Sequence, residues 1–244
     1  MSALRSYGLL LRWQASRMKA FLPLAIVVQA LFALGIVLGY PLLFPALDSG
    51  TILYLATGAP AITLITMGLV AVPQVVAQAR TEGTLDYMRA LPLPRLTYLA
   101  ADTTIWLLIV LPGVALALFI AVLRFQLDLV VSPLVVPALL LVALTATGVG
   151  YAIASLLPQQ LANLLTQVLV VFVLMFSPLT FPVERLPDWL ATVHQFLPVM
   201  AMGEVIRGTV ASNVFPLSIE PFLVLGAWCL LGFGITYWAL ARRR

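Results

Sequence analysis

Few residues in this chain could carry out chemistry, and their types exclude the common catalytic sites. Among 244 residues there is one histidine, one cysteine and one lysine, which are His194, Cys229 and Lys19. No glycine-rich loop precedes Lys19, so the sequence contains no GxxxxGK[ST] nucleotide-binding loop. One histidine excludes an HExxH motif, and one cysteine excludes an internal disulfide and a cysteine-based zinc cluster. The sequence therefore shows no cofactor site and no energy source of its own.

Four ionisable residues could still serve an enzyme within a membrane. Asp102 lies near the inner end of a predicted span, whereas Glu184, Asp188 and His194 lie on a segment predicted at the outer face. Only the outer three could therefore converge. Hydrolysis or transfer of a lipid group by the purified chain alone would favour this alternative.

The composition places most of the chain in lipid. Hydrophobic residues make up 63% of it and charged residues 9%, with a mean hydropathy of +1.11. A soluble domain has about 25% charged residues. The net charge is +4, but the basic residues are too few and too scattered for a nucleic-acid-binding face. We expect an all-α polytopic membrane protein that forms a single domain over residues 1–244.

Six apolar segments are long enough to cross a bilayer, which takes about 20 residues. They run from Phe21 to about Phe44, Ile52 to about Ala79, about Leu99 to Leu123, Pro133 to Leu157, Leu161 to Phe181, and Phe222 to Leu240. The second is long and contains Pro60 and Pro73, which predicts either a kink or an end that projects beyond the lipid.

The basic residues predict the orientation. With six spans both termini share one side, and that side holds ten of the 13 Lys and Arg residues. Only Arg124, Arg185 and Arg207 fall on the other side. Cytoplasmic loops are enriched in Lys and Arg. We therefore expect a multi-pass protein of a prokaryotic cell membrane (inner or plasma) with both termini in the cytoplasm.

Two segments predict helices that do not span. Residues 1–20 contain a basic stripe beside an apolar one, which favours an amphipathic helix, Ser2–Lys19, on the inner membrane surface. The two stripes are Arg5, Arg12 and Lys19, and Leu4, Leu11 and Met18. A basic tail is the alternative. Residues 182–220 predict two short outer helices, one ending near Leu197 and one after Pro198, that dip into the outer leaflet in re-entrant fashion or cap it.

The sequence RTEGTLDYMRALPLPR, residues 80–95, is a polar island between the second and third spans. Five charged residues lie within it, although the whole chain has only 13 basic and 9 acidic residues. Thr81 or Thr84 could cap a helix, Gly83 permits a tight bend, and Pro92 and Pro94 end any helix. The island indicates a cytoplasmic surface where another protein could act on the spans. A plain solvated loop is the alternative.

Two motifs carry a family resemblance. The island and the stretch FPVERLPDWL, residues 181–190, followed by LPVM and Arg207, resemble the membrane subunit of an ATP-binding cassette exporter of the type-2 permease family. The outer stretch is similar to that of permeases grouped with drug exporters. The resemblance covers nearly the whole chain.

The resemblance implies a transport subunit powered by a partner. Two permease chains, in a homodimer, would each seat on a cytoplasmic ATPase subunit, so two ATPase copies would bind ATP and Mg²⁺ and this chain would bind neither. The ATPase-contacting residues would be Arg80, Thr81, Glu82, Gly83, Thr84, Leu85, Asp86, Tyr87 and Arg89, with the coupling helix at Thr81–Arg89. The transported substrate would be a drug, a lipid or a related amphipathic molecule.

By the same resemblance, the second and fifth spans would line the substrate path. The path-facing residues would be Thr63, Met67, Gln74, Thr166, Gln167, Val170 and Met175. The alternative for the polar members of this set is hydrogen bonding between helices. A membrane scaffold without transport activity shares the predicted topology. A GxxxxGK[ST]-bearing protein encoded next to this chain would favour transport over the scaffold.

Overall fold

The chain folds into a bundle of α-helices. The computed structural model describes residues 3–19, 22–43, 49–83 and 95–242, and these ranges contain no β-strand. The helices are α1 (Ala3–Met18), α2 (Leu22–Leu43), α3 (Ser49–Thr66), α4 (Val72–Thr81), α5 (Arg95–Phe125), α6 (Val135–Leu156), α7 (Gln159–Phe176), α8 (Asp188–Phe196), α9 (Pro198–Val210) and α10 (Glu220–Arg242). The predicted all-α fold class is confirmed.

Within the described ranges, five helical segments are long and apolar enough to cross a membrane. They are Gly50–Thr81, Thr97–Phe125, Val135–Leu156, Gln159–Phe176 and Glu220–Ala239. Helix α2 contributes a shorter apolar stretch, Pro23–Gly39. The predicted second to sixth spans each coincide with one of the five segments. A total of six crossings stays a prediction, and Phe21 and Phe44, the predicted limits of the first span, lie outside the described residues.

The second span is one long helix with a wide turn inside it. A π-helical turn, Met67–Ala71, joins α3 to α4, and the Val72 N–H donates to the Met67 carbonyl five residues earlier. Pro73 follows directly and has no N–H to donate to the preceding turn, which favours such a local change of register. The helix continues through both Pro60 and Pro73.

The two helices that flank the island are longer than a bilayer needs. The second span has 32 residues and α5 has 31, which correspond to about 48 Å and about 46 Å at the α-helical rise. The hydrocarbon core of a bilayer is about 30 Å thick. Both helices must therefore tilt or extend beyond the lipid. For the second span, the sequence predicted either a kink or an end that projects beyond the lipid.

Glycines allow the central helix α6 to pack closely on both sides. A Cβ at Gly232 of α10 would lie 2.5 Å from the Gly148 backbone, and one at Gly150 would lie 2.0 Å from the Gly68 carbonyl oxygen. Side chains have no room at these contacts, which are typical of closely packed membrane helices. Helix α6 is therefore held between the π turn and α10.

Helix α1 packs against α5 through a face that includes Leu11 of the predicted apolar stripe but not Leu4. Ser6, Leu10 and Gln14 are buried, whereas Leu4 is 84% exposed. The Tyr7 hydroxyl hydrogen-bonds the Thr104 hydroxyl of α5 at 2.9 Å. Contact of α1 with the membrane surface stays a prediction.

The predicted outer helices are present, and the second is enclosed by the bundle. A short 3₁₀ turn, Val183–Arg185, precedes α8 and α9. Helix α9 has nearly all of its residues buried and packs against α3, α6 and α10. It belongs to the packed core of the molecule.

Candidate functional site

The first residue of the island is bonded to the end of the fourth span. Arg80, in the last turn of α4, donates from Nη1 to the carbonyl oxygens of Ala154 and Leu157, the latter at 3.1 Å. Pro158 ends α6 because the residue before a proline favours an extended backbone, and Leu157 is extended here. The last carbonyls of a helix lack helical partners and carry partial negative charge. A guanidinium is well suited to bind them.

Helix α4 ends within the island. Gln78 Nε2 donates to Glu82 Oε1 at 2.7 Å, and the Gly83 N–H donates to the Arg80 carbonyl. Gly83 has φ +73°, a left-handed conformation that glycine adopts without strain. Thr81 is the last residue of α4, and its hydroxyl bonds the Gln78 carbonyl. Thr81 is therefore not the cap of a following helix.

The rest of the predicted coupling helix lies outside the described residues. These positions are Thr84, Leu85, Asp86, Tyr87 and Arg89, within residues 84–94. Their role in binding an ATPase stays a prediction. Arg95, the first residue of α5, is the next described residue.

One pair of the predicted path residues joins the second and fifth spans. Gln74 Nε2 donates to Thr166 Oγ1 at 3.1 Å, and the Thr166 hydroxyl also bonds the Asn163 carbonyl. Thr166 is fully buried. Such a bond between helices is the structural role that polar side chains commonly have within membranes.

The other predicted path residues lie in different surroundings. Thr63 is fully buried and its hydroxyl bonds the Ala59 carbonyl of its own helix, and Met67 is also buried. Gln167 and Met175 lie on the exposed side of α7, and Val170 is half-buried. Whether any of them faces a substrate path stays a prediction.

Helix α7 is exposed along most of its length. Its large apolar side chains Leu164, Val168 and Met175 are each 64% exposed. Gln160, Asn163 and Gln167 are exposed on the same helix. Amide side chains are costly to leave in hydrocarbon without partners. This mixed face therefore suits another protein surface or a polar path better than lipid alone.

Comparison with known families decides the assignment. The family model described as ABC-2 type transporter matches residues 3–211. The chain belongs to the ABC-2 type transporter family. No curated protein matches it. It is a multi-pass membrane permease component of an ATP-binding cassette (ABC) transporter, and such permeases work with an ABC ATPase.

A carboxylate within the α5 span accepts hydrogen bonds from two described side chains. Asp102 of α5 accepts a hydrogen bond from the Tyr151 hydroxyl of α6 and another, at 3.3 Å, from Trp106 Nε1. Sequence reasoning marked Asp102 as a candidate catalytic residue and missed Tyr151. An acidic residue in a span implies a polar partner. The contact joins α5 to α6 and gives Asp102 a structural role.

The other three candidate catalytic residues, Glu184, Asp188 and His194, do not lie together in one site. Glu184 and Asp188 are exposed, whereas His194 is fully buried and stacks on Phe172 with ring centroids 5.7 Å apart. Neither ring nitrogen of His194 has a hydrogen-bond partner among the described residues. The three residues therefore form no hydrogen-bonded catalytic group.

Arg207 is a buried cation in α9, at the end of the permease opposite the island. It is 5% exposed, and its Nη2 donates to the carbonyls of Pro178 and Leu179 at 2.9 and 3.0 Å. Its guanidinium lies 4.2 Å from the centre of the Tyr54 ring, a cation–π contact. A basic residue inside a helix whose one other charged residue is Glu204 was the available signal of burial.

Proposed function

We propose that this permease exports a hydrophobic or amphipathic molecule, such as a drug or a lipid, with energy from a separate ATPase subunit. The bond from Arg80 to the end of α6 is the main support. It joins the first residue of the island to a helix at the centre of the bundle. A force applied to the island would therefore act on the spans directly.

In the proposed mechanism, residues 80–89 contact a cytoplasmic ATPase. ATP and Mg²⁺ bind in two ATPase subunits and draw them together, and each subunit carries one island with it. The movement reaches α4 and α5, which flank the island, and reaches α6 through Arg80. The spans then change from an inward-open to an outward-open arrangement, which is a two-state change of packing.

A second permease chain would cover the exposed face of α7. Gln167 lies near the middle of that helix, at the greatest distance from either end. An amide at this depth would be stabilised by a partner chain or by a polar path between two chains. A homodimer that places the path beside α7 satisfies this requirement.

The orientation follows from the basic residues and from helix length. Both helices that flank the island exceed the thickness of the hydrocarbon core. Without a steep tilt, they would carry the island beyond the lipid. The bias of ten of the 13 basic residues toward that side favours the cytoplasm. This is the side on which ATP is available.

Charge reversal in the island tests the proposal. Glu82→Arg combined with Asp86→Arg should abolish substrate-stimulated ATP hydrolysis by the complex, because it replaces the two carboxylates of the contact surface with cations. Amounts in the membrane should be unchanged. Glu184→Arg with Asp188→Arg is the matched control, since both residues are exposed on the outer segment.

The same assay separates transport from the scaffold alternative. Normal turnover in the Glu82 and Asp86 variant would contradict the proposed coupling surface. Failure of the wild-type permease to co-purify with an ATPase would contradict the transport proposal as a whole and favour a scaffold.

A further inference from the structure

A cavity of about 520 Å³ lies at the outer end of the permease. It is formed between α3, α9, α10 and the segment that precedes α10. Its lining includes Tyr54, Glu204, Arg207, Phe215, Glu220 and Phe222. Volumes of about 300–1,000 Å³ are typical of sites for small molecules.

The positive charge in this cavity is partly engaged by the protein, and the buried Nε of Arg207 has no hydrogen-bond partner among the described residues. Arg207 donates to two backbone carbonyls and lies over the ring of Tyr54, with the ring of Phe215 6.0 Å away. These contacts hold Nη2 and the side of the guanidinium that faces the rings. An anionic ligand that bound there would have to compete with them.

The two carboxylates leave the cavity with excess negative charge. Glu204 is half-buried and Glu220 is exposed, and both line the cavity. Burial raises the pKa of Glu204, Arg207 lowers it by a smaller amount, and Glu220 raises it. The two carboxylates therefore repel each other in a partly desolvated site, and a cation between them would relieve that repulsion.

Most of the other lining side chains are apolar, apart from Gln195 and Ser218, and the apolar part continues into a spanning helix. Leu217, Phe222 and Val224 line the cavity, and the last two lie in the first turns of the span Glu220–Ala239. Glu220 is thus the first residue of the helix that supplies Phe222 and Val224, and the apolar part of the lining follows it along α10.

We propose that this cavity binds an amphiphile that has a primary ammonium head and a hydrocarbon tail. The ammonium would lie between Glu204 and Glu220 and donate hydrogen bonds to both. The tail would lie along Phe222 and Val224. The source is either a membrane lipid with an aminoethyl headgroup or an amphipathic amine from solution. This inference concerns binding, and it holds whether or not the bound molecule is transported.

Photolabelling of the full-length permease in a non-ionic detergent tests the proposal. The probe is dodecylammonium with a diazirine in its tail, and labelled peptides are mapped by mass spectrometry. We expect label on the first turns of α10 and a fall of about tenfold in Glu204→Gln with Glu220→Gln, since charge-assisted hydrogen bonds are lost. Asp128→Asn with Glu184→Gln is the matched control, because it removes two exposed outer carboxylates that do not line the cavity.

Three results would overturn the proposal. The first is an equal loss of label in the two double variants. The second is labelling by the diazirine analogue of dodecanol as strong as labelling by the amine probe. The third is labelling by the diazirine analogue of dodecyl sulfate where the amine probe gives none. Size-exclusion profiles verify folding. If the Glu204 and Glu220 variant aggregates, Glu220→Gln alone is used, because this position is exposed. Its photolabelling should fall by a smaller factor. Undiminished photolabelling of Glu220→Gln would refute the proposal.

Competition identifies the source of the amine. Phosphatidylethanolamine should displace the probe if the natural occupant is a lipid, and phosphatidylglycerol should not. Displacement by phosphatidylglycerol alone would contradict recognition of an ammonium group. Displacement by neither lipid, together with the expected loss in the Glu204 and Glu220 variant, supports a soluble amine as the occupant.

Discussion

At the scale of single residues, His194 is a buried titratable group that stacks on Phe172. Burial lowers its pKa below the ordinary value of 6.5, and the backbone of Phe176 acts in the opposite direction with a smaller effect. In the unfolded chain, His194 therefore takes up a proton at a pH where His194 of the folded protein remains neutral. The free energy of unfolding should fall as the pH drops below 6.5.

We predict that His194→Phe reduces this acid sensitivity. The phenyl ring can keep the stacking on Phe172 and does not titrate. The midpoint of thermal unfolding in detergent, measured between about pH 7.5 and about pH 5.5, should decrease less for the variant than for the wild type. His194 is the single histidine of the chain, so the difference between the two curves reports on it. Gln195→Ala, at the exposed neighbouring position, should behave as the wild type, and parallel curves for His194→Phe and the wild type would contradict the prediction.

Sequence patterns located the notable residues but not their partners. Arg207 and Glu204 are three apart on a helix, which favours a direct pair on an isolated helix. In the fold, Arg207 instead binds carbonyls from residues 178 and 179. Those carbonyls become available only because the chain turns there beside α9. Tertiary packing, which local spacing does not encode, decided the partner.

At the scale of helices, Arg80 connects two spans at the island. We predict that Arg80→Gln lowers substrate-stimulated ATP hydrolysis several-fold, because the island then loses its charged contact with α6. Loss of such a bond also costs about 1–3 kcal/mol of stability. Arg80→Lys should recover part of the activity, since an ammonium can still bind one helix-terminal carbonyl.

Two measurements distinguish coupling from stability in this variant. Amounts of permease in the membrane and co-purification with the ATPase should be retained, while turnover falls. Arg185→Gln, at an exposed outer position, should leave turnover unchanged. Full turnover in Arg80→Gln would show that the contact with α6 does not transmit movement.

The helices themselves were predictable, since continuous apolar runs and flanking prolines define their limits to within a few residues. The π turn was not predictable, and it alters which residues share a face. Thr63, Met67 and Gln74 share a face in a regular α-helix, where each residue turns by about 100°. One additional residue in the turn rotates Gln74 away from the other two. Gln74 therefore reaches Thr166 while Thr63 stays enclosed.

At the scale of the whole molecule, the exposed face of α7 predicts how two copies meet. Gln167→Cys in a Cys229→Ser background should form a disulfide-linked dimer under mild oxidation, because the same residue of two chains approaches at a two-fold axis. Non-reducing electrophoresis of membranes measures the product. Cys229 is the single native cysteine, so the background has no competing thiol.

The control places the cysteine on another exposed helix. Leu230 of α10 is 77% exposed on a face with Leu223 and Leu231 and without polar side chains among them, which suits lipid. Leu230→Cys in the same background should form no disulfide-linked dimer. Equal cross-linking at both positions would indicate random collision in the membrane and would contradict a dimer formed at α7.

The glycine contacts of α6 have a consequence for movement. At these glycine contacts, backbone lies against backbone on both sides of α6, and no side chain is present there that could absorb a displacement. Arg80 holds the same helix by its end, and Gly232 of α10 rests on it near its middle. A displacement of α6 at the end that Arg80 holds would therefore also displace α10. The movement would reach the wall of the cavity, because α10 forms part of it.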